Sequence, residues 1–217
     1  MIPLKQYPEP PYFAEKVRQP GRKHLRAQGI KLSDIGVEWN KFKDFWKECR
    51  NDLKKYYNNY CAYTCLYIHD FQDVPIDHIK PKTRSAAYLA YEWNNYCLCC
   101  QTINRKKGNK IQNINPYYIT KHLFFLILNT GYIYVNCAYI NSVLYKIASD
   151  TIQELDLNNE MYKKIRQKAF CDYIKDRKEG TTLERALENL KEKNIFVWSE
   201  VKRQYKNEIF LIKSYHN

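Results

Sequence analysis

The sequence predicts an α+β protein, and three observations carry that reading. An aromatic stripe between Trp39 and Tyr56 recurs at helical spacing; two β-prone runs meet at Asn129-Thr130-Gly131; and long amphipathic segments fill the C-terminal part. At 217 residues the chain is long enough for one full core, or for a compact site with a second lobe. The composition divides it into residues 1–56, an extended arm and an aromatic-rich helix; 57–112, a compact core; and 113–217, an α+β accessory lobe that is mostly helical with a β-hairpin.

Taken in order, the first element is the arm. Prolines 3, 8, 10, 11 and 20 fix the backbone and withhold hydrogen-bond donors, so the first twenty residues read as extended, and "GRKHLR" at 21–26 reads as a charged turn. A helix is predicted from Ser33, which can serve as its N-cap. Trp39, Phe42, Phe45, Trp46, Cys49, Leu53 and Tyr56 would face the core, with Lys41, Lys43, Lys47 and Arg50 between them.

Beyond residue 112, "HLFFLILNTGYIYVN" reads as a hairpin and "ASDTIQELDLNNEMYKKIRQKAFCDYIKDR" as helix. Gly180 breaks that helix, and Thr181 with Glu184 forms a capping box before "LERALENLKEK". "IFVW" reads as β, leading into a mixed basic and apolar tail.

The charge balance narrows the partners. Lysine and arginine total 36 against 23 acidic residues, a net charge of +13, which favours a polyanion such as DNA or RNA. Twenty tyrosines and four tryptophans offer surfaces that stack on bases or fill cores. "MIPLKQYPEPPYF" lacks the pattern of a secretory signal, and "LFFLIL" is far shorter than the roughly 20 residues a span requires, so a cytoplasmic protein without a membrane segment is expected. In that compartment the eight cysteines are expected as thiols or metal ligands.

The chemistry concentrates in residues 74 to 110. Asp77-His78 closes the run "VPID": a carboxylate is a hard ligand for a divalent cation, and a neutral imidazole can take a proton from water. In "YEWNNYCLCC", Asn94 or Asn95 can orient that imidazole or simply form a turn. In "TINRKKGNK", Asn104 and Lys107 fall three residues apart on one helical face, an oxygen ligand beside an ammonium, with Asn109 a competing ligand.

In this order, "IDHIKPKT", "YEWNNYCLCC" and "INRKKGN" resemble the HNH endonuclease family with its ββα-metal fold, over about residues 57 to 110. The resemblance implies strand, loop, strand and short helix, with His78 the general base that activates water against a phosphodiester. It implies Asp77 and Asn104 as ligands of one Mg²⁺ or Mn²⁺, Asn95 as the residue orienting His78 (five residues before Cys100, with Asn94 its alternative), and products bearing 5′-phosphate and 3′-hydroxyl ends. Lys80, Lys82, Arg84, Arg105, Lys106 and Lys107 would contact phosphates. Many relatives brace this fold with zinc between two Cys-x-x-Cys knuckles. Here Cys61, Cys65, Cys97 and Cys100 lie near those places, but Cys61 and Cys65 are separated by three residues and Ile103 fills the last knuckle position, so buried thiols are expected rather than structural zinc.

"TIQELDLNNEMYKKIRQKA" is similar to a pattern that follows the nuclease core in HNH proteins of anti-phage systems such as the Septu and retron-associated nucleases, which implies a defence role beside an ATPase partner. The leading expectation is a DNA endonuclease. Cleavage of RNA, or a scaffold that binds nucleic acid without cutting it, are the alternatives.

Overall fold

The computed structural model describes residues 1–69, 75–110 and 114–205. They divide into two compact units, Pro3–Thr120 and a second that begins at Lys121 and is grouped with Met1–Ile2. Each mixes helices with a two-stranded antiparallel sheet, an α+β composition. The expected arm-and-helix region and the core at 57–112 therefore fold as one unit.

In the first unit the arm is shorter than the prolines suggested. A π-helical turn, Ala14–Arg18, runs into helix α1 (Gln19–Ala27). Pro20 sits in the first turn of α1, where its fixed φ is compatible with helix, so "GRKHLR" is helical rather than a turn. Gly21 presses against Tyr91 so closely that a Cβ there would lie 2.3 Å from the ring. Residues before Pro10 still pack: Tyr7 stacks on Tyr56 at 4.7 Å, and its carbonyl accepts the Trp93 indole N–H at 2.8 Å.

The helix expected from Ser33 does not form as one rod. Gly36 adopts a positive φ of 82°, Phe42 is extended, and the chain proceeds as 3₁₀ turns at Trp39–Lys41 and Phe45–Cys49 before helix α2 (Arg50–Tyr56). Ser33 caps nothing; the Asp34 carboxylate beside it accepts the Lys31 N–H instead. Burial still follows the stripe at Phe42, Trp46, Cys49 and Leu53, whereas Trp39 is 73% exposed.

Strand β1 (Ile76–His78) pairs antiparallel with β2 (Tyr96–Leu98), with Asp77 opposite Cys97 and His78 opposite Tyr96. Between them lie 3₁₀ turns at Ala87–Tyr91 and Trp93–Asn95, and helix α3 (Gln101–Lys107) follows directly. All three residues of each strand are buried, because this small sheet is covered on both faces.

The second unit begins with the predicted hairpin, β3 (Phe124–Ile127) and β4 (Tyr132–Val135). Phe124, Leu126, Ile133 and Val135 face inward, as alternation requires. Gly131 turns the chain at φ 69° and lies against the backbone of Lys163; a Cβ would fall 2.2 Å from that carbonyl oxygen. Two helices replace the single one expected: α4 (Val143–Glu154) and α5 (Glu160–Lys178). They part where Asp156 takes a positive φ and Asn159 caps α5.

That break explains the "TIQELDLNN…R" pattern. Thr151, Leu155 and Leu157 are buried, while Asn158 bonds both the N–H and the carbonyl of Ile133 at 2.8 Å. Arg166, wholly buried, donates to the carbonyls of Gly131 and Leu157 at 2.7 Å each. Across the sheet, the Leu126 N–H donates to Glu200 and its carbonyl accepts from Gln204.

Two further expectations are corrected. Thr182, not Thr181, caps helix α6 (Leu183–Lys193), its side chain accepting from the Arg185 N–H. "IFVW" opens helix α7 (Ile195–Gln204) rather than a strand, because the buried Asn194 accepts from the N–H groups of both Phe196 and Val197 and so starts a helix there. We expect Asn194→Ala to lower stability by about 1–2 kcal/mol, read as a shift in the urea midpoint at unchanged slope. The basic tail after Tyr205 lies outside the described residues. No described helix is long and apolar enough to cross a membrane.

Candidate active site

A cleft of about 380 Å³ in the first unit gathers Asp77, His78, Lys82, Asn104 and Asn109 from among the residues singled out from sequence. β1 brings Asp77 and His78; the turn after it brings Lys82; α3 and its end bring Asn104 and Asn109. The opposite wall comes from the aromatic segment: Asp44, Trp46, Lys47 and Arg50. Sequence periodicity marks Trp46 as core with Lys47 and Arg50 between core positions; Trp46 and Lys47 reach the cleft from the 3₁₀ turn at Phe45–Cys49, and Arg50 from the start of α2, a break that no local signal announced.

His78 is held by its surroundings more than by any one side chain. Its ring meets Trp46 edge-to-face at 4.7 Å and Tyr96 at 5.1 Å. Nε2 lies 3.1 Å from the Ala90 carbonyl, which also accepts the Tyr96 hydroxyl at 2.6 Å. A carbonyl can only accept, so Nε2 carries the proton and Nδ1 carries the lone pair. Among the described residues Nδ1 makes no hydrogen bond. Burial first, and then the positive charge of Lys82, pull His78 down to about 3, so it is neutral at physiological pH.

Asn95 is buried and Asn94 exposed. The Asn95 amide does not touch the imidazole: it accepts from the Lys80 N–H at 2.7 Å and donates to the carbonyls of Lys80 (3.0 Å) and Leu89 (2.8 Å). It thus ties the turn after His78 to the segment that presents the Ala90 carbonyl. The orienting acceptor is a backbone group, for which a sequence holds no residue signature.

Asp77, 3% exposed, accepts the Tyr63 hydroxyl on Oδ2 at 2.7 Å, with the Cys97 thiol 3.7 Å from the same oxygen. Burial foremost, with Asp77 beside it, pushes the Tyr63 phenol well up, so it remains a donor. Oδ1 accepts the Lys107 ammonium at 3.0 Å, which also reaches the His78 carbonyl at 2.8 Å. Lys107 is 1% exposed. This corrects its expected place on phosphates: it shares a helical face with Asn104, as the spacing implied, but that face meets Asp77 rather than solvent.

The other expected phosphate contacts differ among themselves. Lys80, Arg84 and Arg105 are exposed and Lys106 half-buried, but none of them lines the cleft. Lys82 does line it, with Nζ 4.0 Å from the centre of the Trp46 ring and 5.6 Å from that of Phe42. Burial pulls the Lys82 ammonium below its ordinary value, against the opposing pull of Asp44.

The four cysteines near the knuckle places divide among different surroundings. Cys61 lies with Cys99 and Cys100: the Cys100 N–H points at its sulfur (3.4 Å), and hydrogen bonds from Cys100, Cys99 and Thr64 hold the Cys61 thiol well below its ordinary value although burial works the other way. Cys97 faces Asp77 instead, and Cys65 is buried at a positive φ of 57°. β2 ends at Leu98 and Cys100 occupies the N-cap position of α3, so Cys99 and Cys100 lie beyond the strand.

Among the described residues no three His, Cys, Asp or Glu side chains are gathered as a metal site. The hard oxygens at the cleft include the Asp77 carboxylate and the Asn104 amide singled out from sequence, beside the Asp44 carboxylate and the Asn109 amide. Asp77 keeps a further lone pair on Oδ1, and Asn104 makes no side-chain hydrogen bond to a described residue. Two such ligands fit Mg²⁺, which characteristically binds to one or two protein oxygens and keeps several waters. Comparison with family models, with curated proteins and with solved structures returned no match to this chain.

Proposed function

We propose that this chain is a metal-dependent endonuclease of the HNH type that hydrolyses DNA phosphodiesters in the cleft around His78. The observation that carries the reading is a neutral, buried imidazole whose tautomer is fixed through Nε2, on one cleft with a carboxylate, an amide oxygen and a lysine. A ring held this way presents an unprotonated Nδ1 at neutral pH, the state from which a general base must act. Lys82, braced on Trp46, supplies positive charge beside that ring, where a phosphate oxygen would carry the negative charge of attack. Asp77 and Asn104 would hold Mg²⁺ or Mn²⁺, which when bound stabilises charge on the leaving 3′ oxygen. Lys47 and Arg50 extend the positive wall of the cleft, and the exposed Lys80, Arg84 and Arg105 add non-specific attraction that weakens with salt.

The defence role does not rest on the same footing. Thr151, Leu155, Leu157, Asn158 and Arg166 are occupied in holding the second unit together, so their pattern supports a fold and carries no argument for an ATPase partner.

The test is cleavage of supercoiled plasmid and of single-stranded RNA by purified protein with Mg²⁺, with Mn²⁺ and with chelator. Nicking or linearisation of the plasmid that needs the metal is expected. Cutting of RNA alone would move the substrate class, and binding without cutting of either would leave a scaffold. The His78 surroundings add a further expectation: kcat/KM should show no acid limb near the ordinary imidazole value of about 6.5, because the ring protonates only near 3. Between those values the unfolded chain binds the extra proton, so stability should decline as pH falls through that window and be unaffected by this group above it. A rate profile that halves near pH 6.5 in stably folded protein would contradict the assignment.

A further inference from the structure

A cation already sits on the predicted metal ligand. Lys107 and Asp77 are both almost wholly buried, their charges 3.0 Å apart, and the ammonium is held on its other side by the His78 carbonyl. A buried carboxylate is costly without a countercharge, and here the chain supplies one from within. Of the two Asp77 oxygens, Oδ2 is engaged by the Tyr63 hydroxyl and the Cys97 thiol, both neutral donors, while Oδ1 receives the ammonium. A divalent ion and an ammonium on one carboxylate repel each other strongly in so dry a place.

We propose that Lys107 is a built-in counterion that holds Asp77 in the metal-free protein and is displaced when a divalent cation binds, so that loading this site is a cation exchange. The proposal rests on the reading of Asp77 and Asn104 as metal ligands. It gives Lys107 two duties. Without metal, the ammonium keeps Asp77 and the end of β1 in place through bonds to the carboxylate and to the His78 backbone. With metal, its displacement sets the affinity, because each cation must outcompete the other.

The position of Lys107 explains why the exchange is local. Its Cα lies in the last turn of α3, on the same helical face as Asn104, so one short helix delivers both a ligand and the internal competitor. Gly108 follows at once with φ 50°, ending the helix where its backbone reaches the cleft.

The experiment is binding of Mn²⁺ alone to the full chain, followed by electron paramagnetic resonance, with no substrate present. Lys107→Met keeps the length of the side chain and removes the charge; it is expected to tighten Mn²⁺ binding by roughly tenfold or more, the scale on which one close charge alters a carboxylate's affinity for a proton. Tyr63→Phe removes a neutral partner of the same carboxylate and is expected to change binding by less than about threefold. Wild type that binds Mn²⁺ while Lys107→Met binds equally or more weakly would overturn the exchange and leave the metal site standing. If neither protein binds Mn²⁺, the metal-site reading fails and the exchange with it.

Should Lys107→Met not fold, wild-type protein decides. Acetylation of Lys107 by an N-hydroxysuccinimide ester, read by peptide mass spectrometry, is expected to be slow without metal and faster with Mn²⁺. Equal labelling under the two conditions would overturn the proposal.

Discussion

His78→Ala is expected to lower metal-dependent plasmid cleavage by about a thousandfold, within the range that a positioned general base contributes. DNA affinity at fixed salt should change little, because the ring makes no phosphate contact of its own and Lys82, Lys47 and Arg50 remain on the cleft. The two readouts must part company for the assignment to hold. Loss of cleavage together with loss of binding would mean that the cleft had collapsed, a real hazard for a ring wedged between Trp46 and Tyr96. His78→Gln, whose side-chain amide can place a donor where the imidazole Nε2 meets the Ala90 carbonyl, guards against it: a folded protein that binds but does not cut separates the base from the packing. Cleavage at wild-type rate in either variant would remove His78 from the reaction.

Gly131→Ala should be the most damaging small substitution in the second unit, costing about 3 kcal/mol. The positive φ of 69° accounts for about 1 kcal/mol of that. The remainder, about 2 kcal/mol, comes from overlap of the new methyl with the Lys163 carbonyl, where there is backbone on both sides and no flexible side chain to yield. Gly180→Ala is the matching control: φ is 87°, but nothing lies within 4 Å of the added carbon, so only the backbone cost of about 1 kcal/mol is expected. Urea unfolding of the full chain measures both. Equal losses would show that the close packing of hairpin on α5 contributes nothing.

How much of this was readable beforehand depends on what kind of group carries the feature. The order strand, loop, strand, helix from Ile76 to Lys107 was legible because short β-prone runs and a Gly108 stop are local signals. The hairpin was legible for the same reason, through Asn129-Thr130-Gly131. The helix from Ser33 was misread because hydrophobic period outweighed Gly36, and "IFVW" because β propensity outweighed the Asn194 cap. Within the site, side chains announced themselves and backbone did not. His78, Asp77 and Asn104 stand out by type; the Ala90 carbonyl that fixes the imidazole has no residue identity to find. Lys107 was visible, but its partner was not, since a lysine three residues from Asn104 looks the same whether it meets a phosphate or a buried aspartate.

The hairpin of the second unit has one more consequence. A strand offers its outward N–H and carbonyl groups to any extended peptide that comes by, and a two-stranded sheet has such a rim on both sides. At the middle of each rim, the amide of Asn158 engages both groups of Ile133, and Glu200 with Gln204 engages both groups of Leu126. Side chains here imitate the next strand, so a visiting strand finds the central rungs of the ladder already taken. The sheet is thereby finished at two strands: it resists edge-to-edge aggregation, and a partner of this unit would have to dock on its helices rather than extend its sheet.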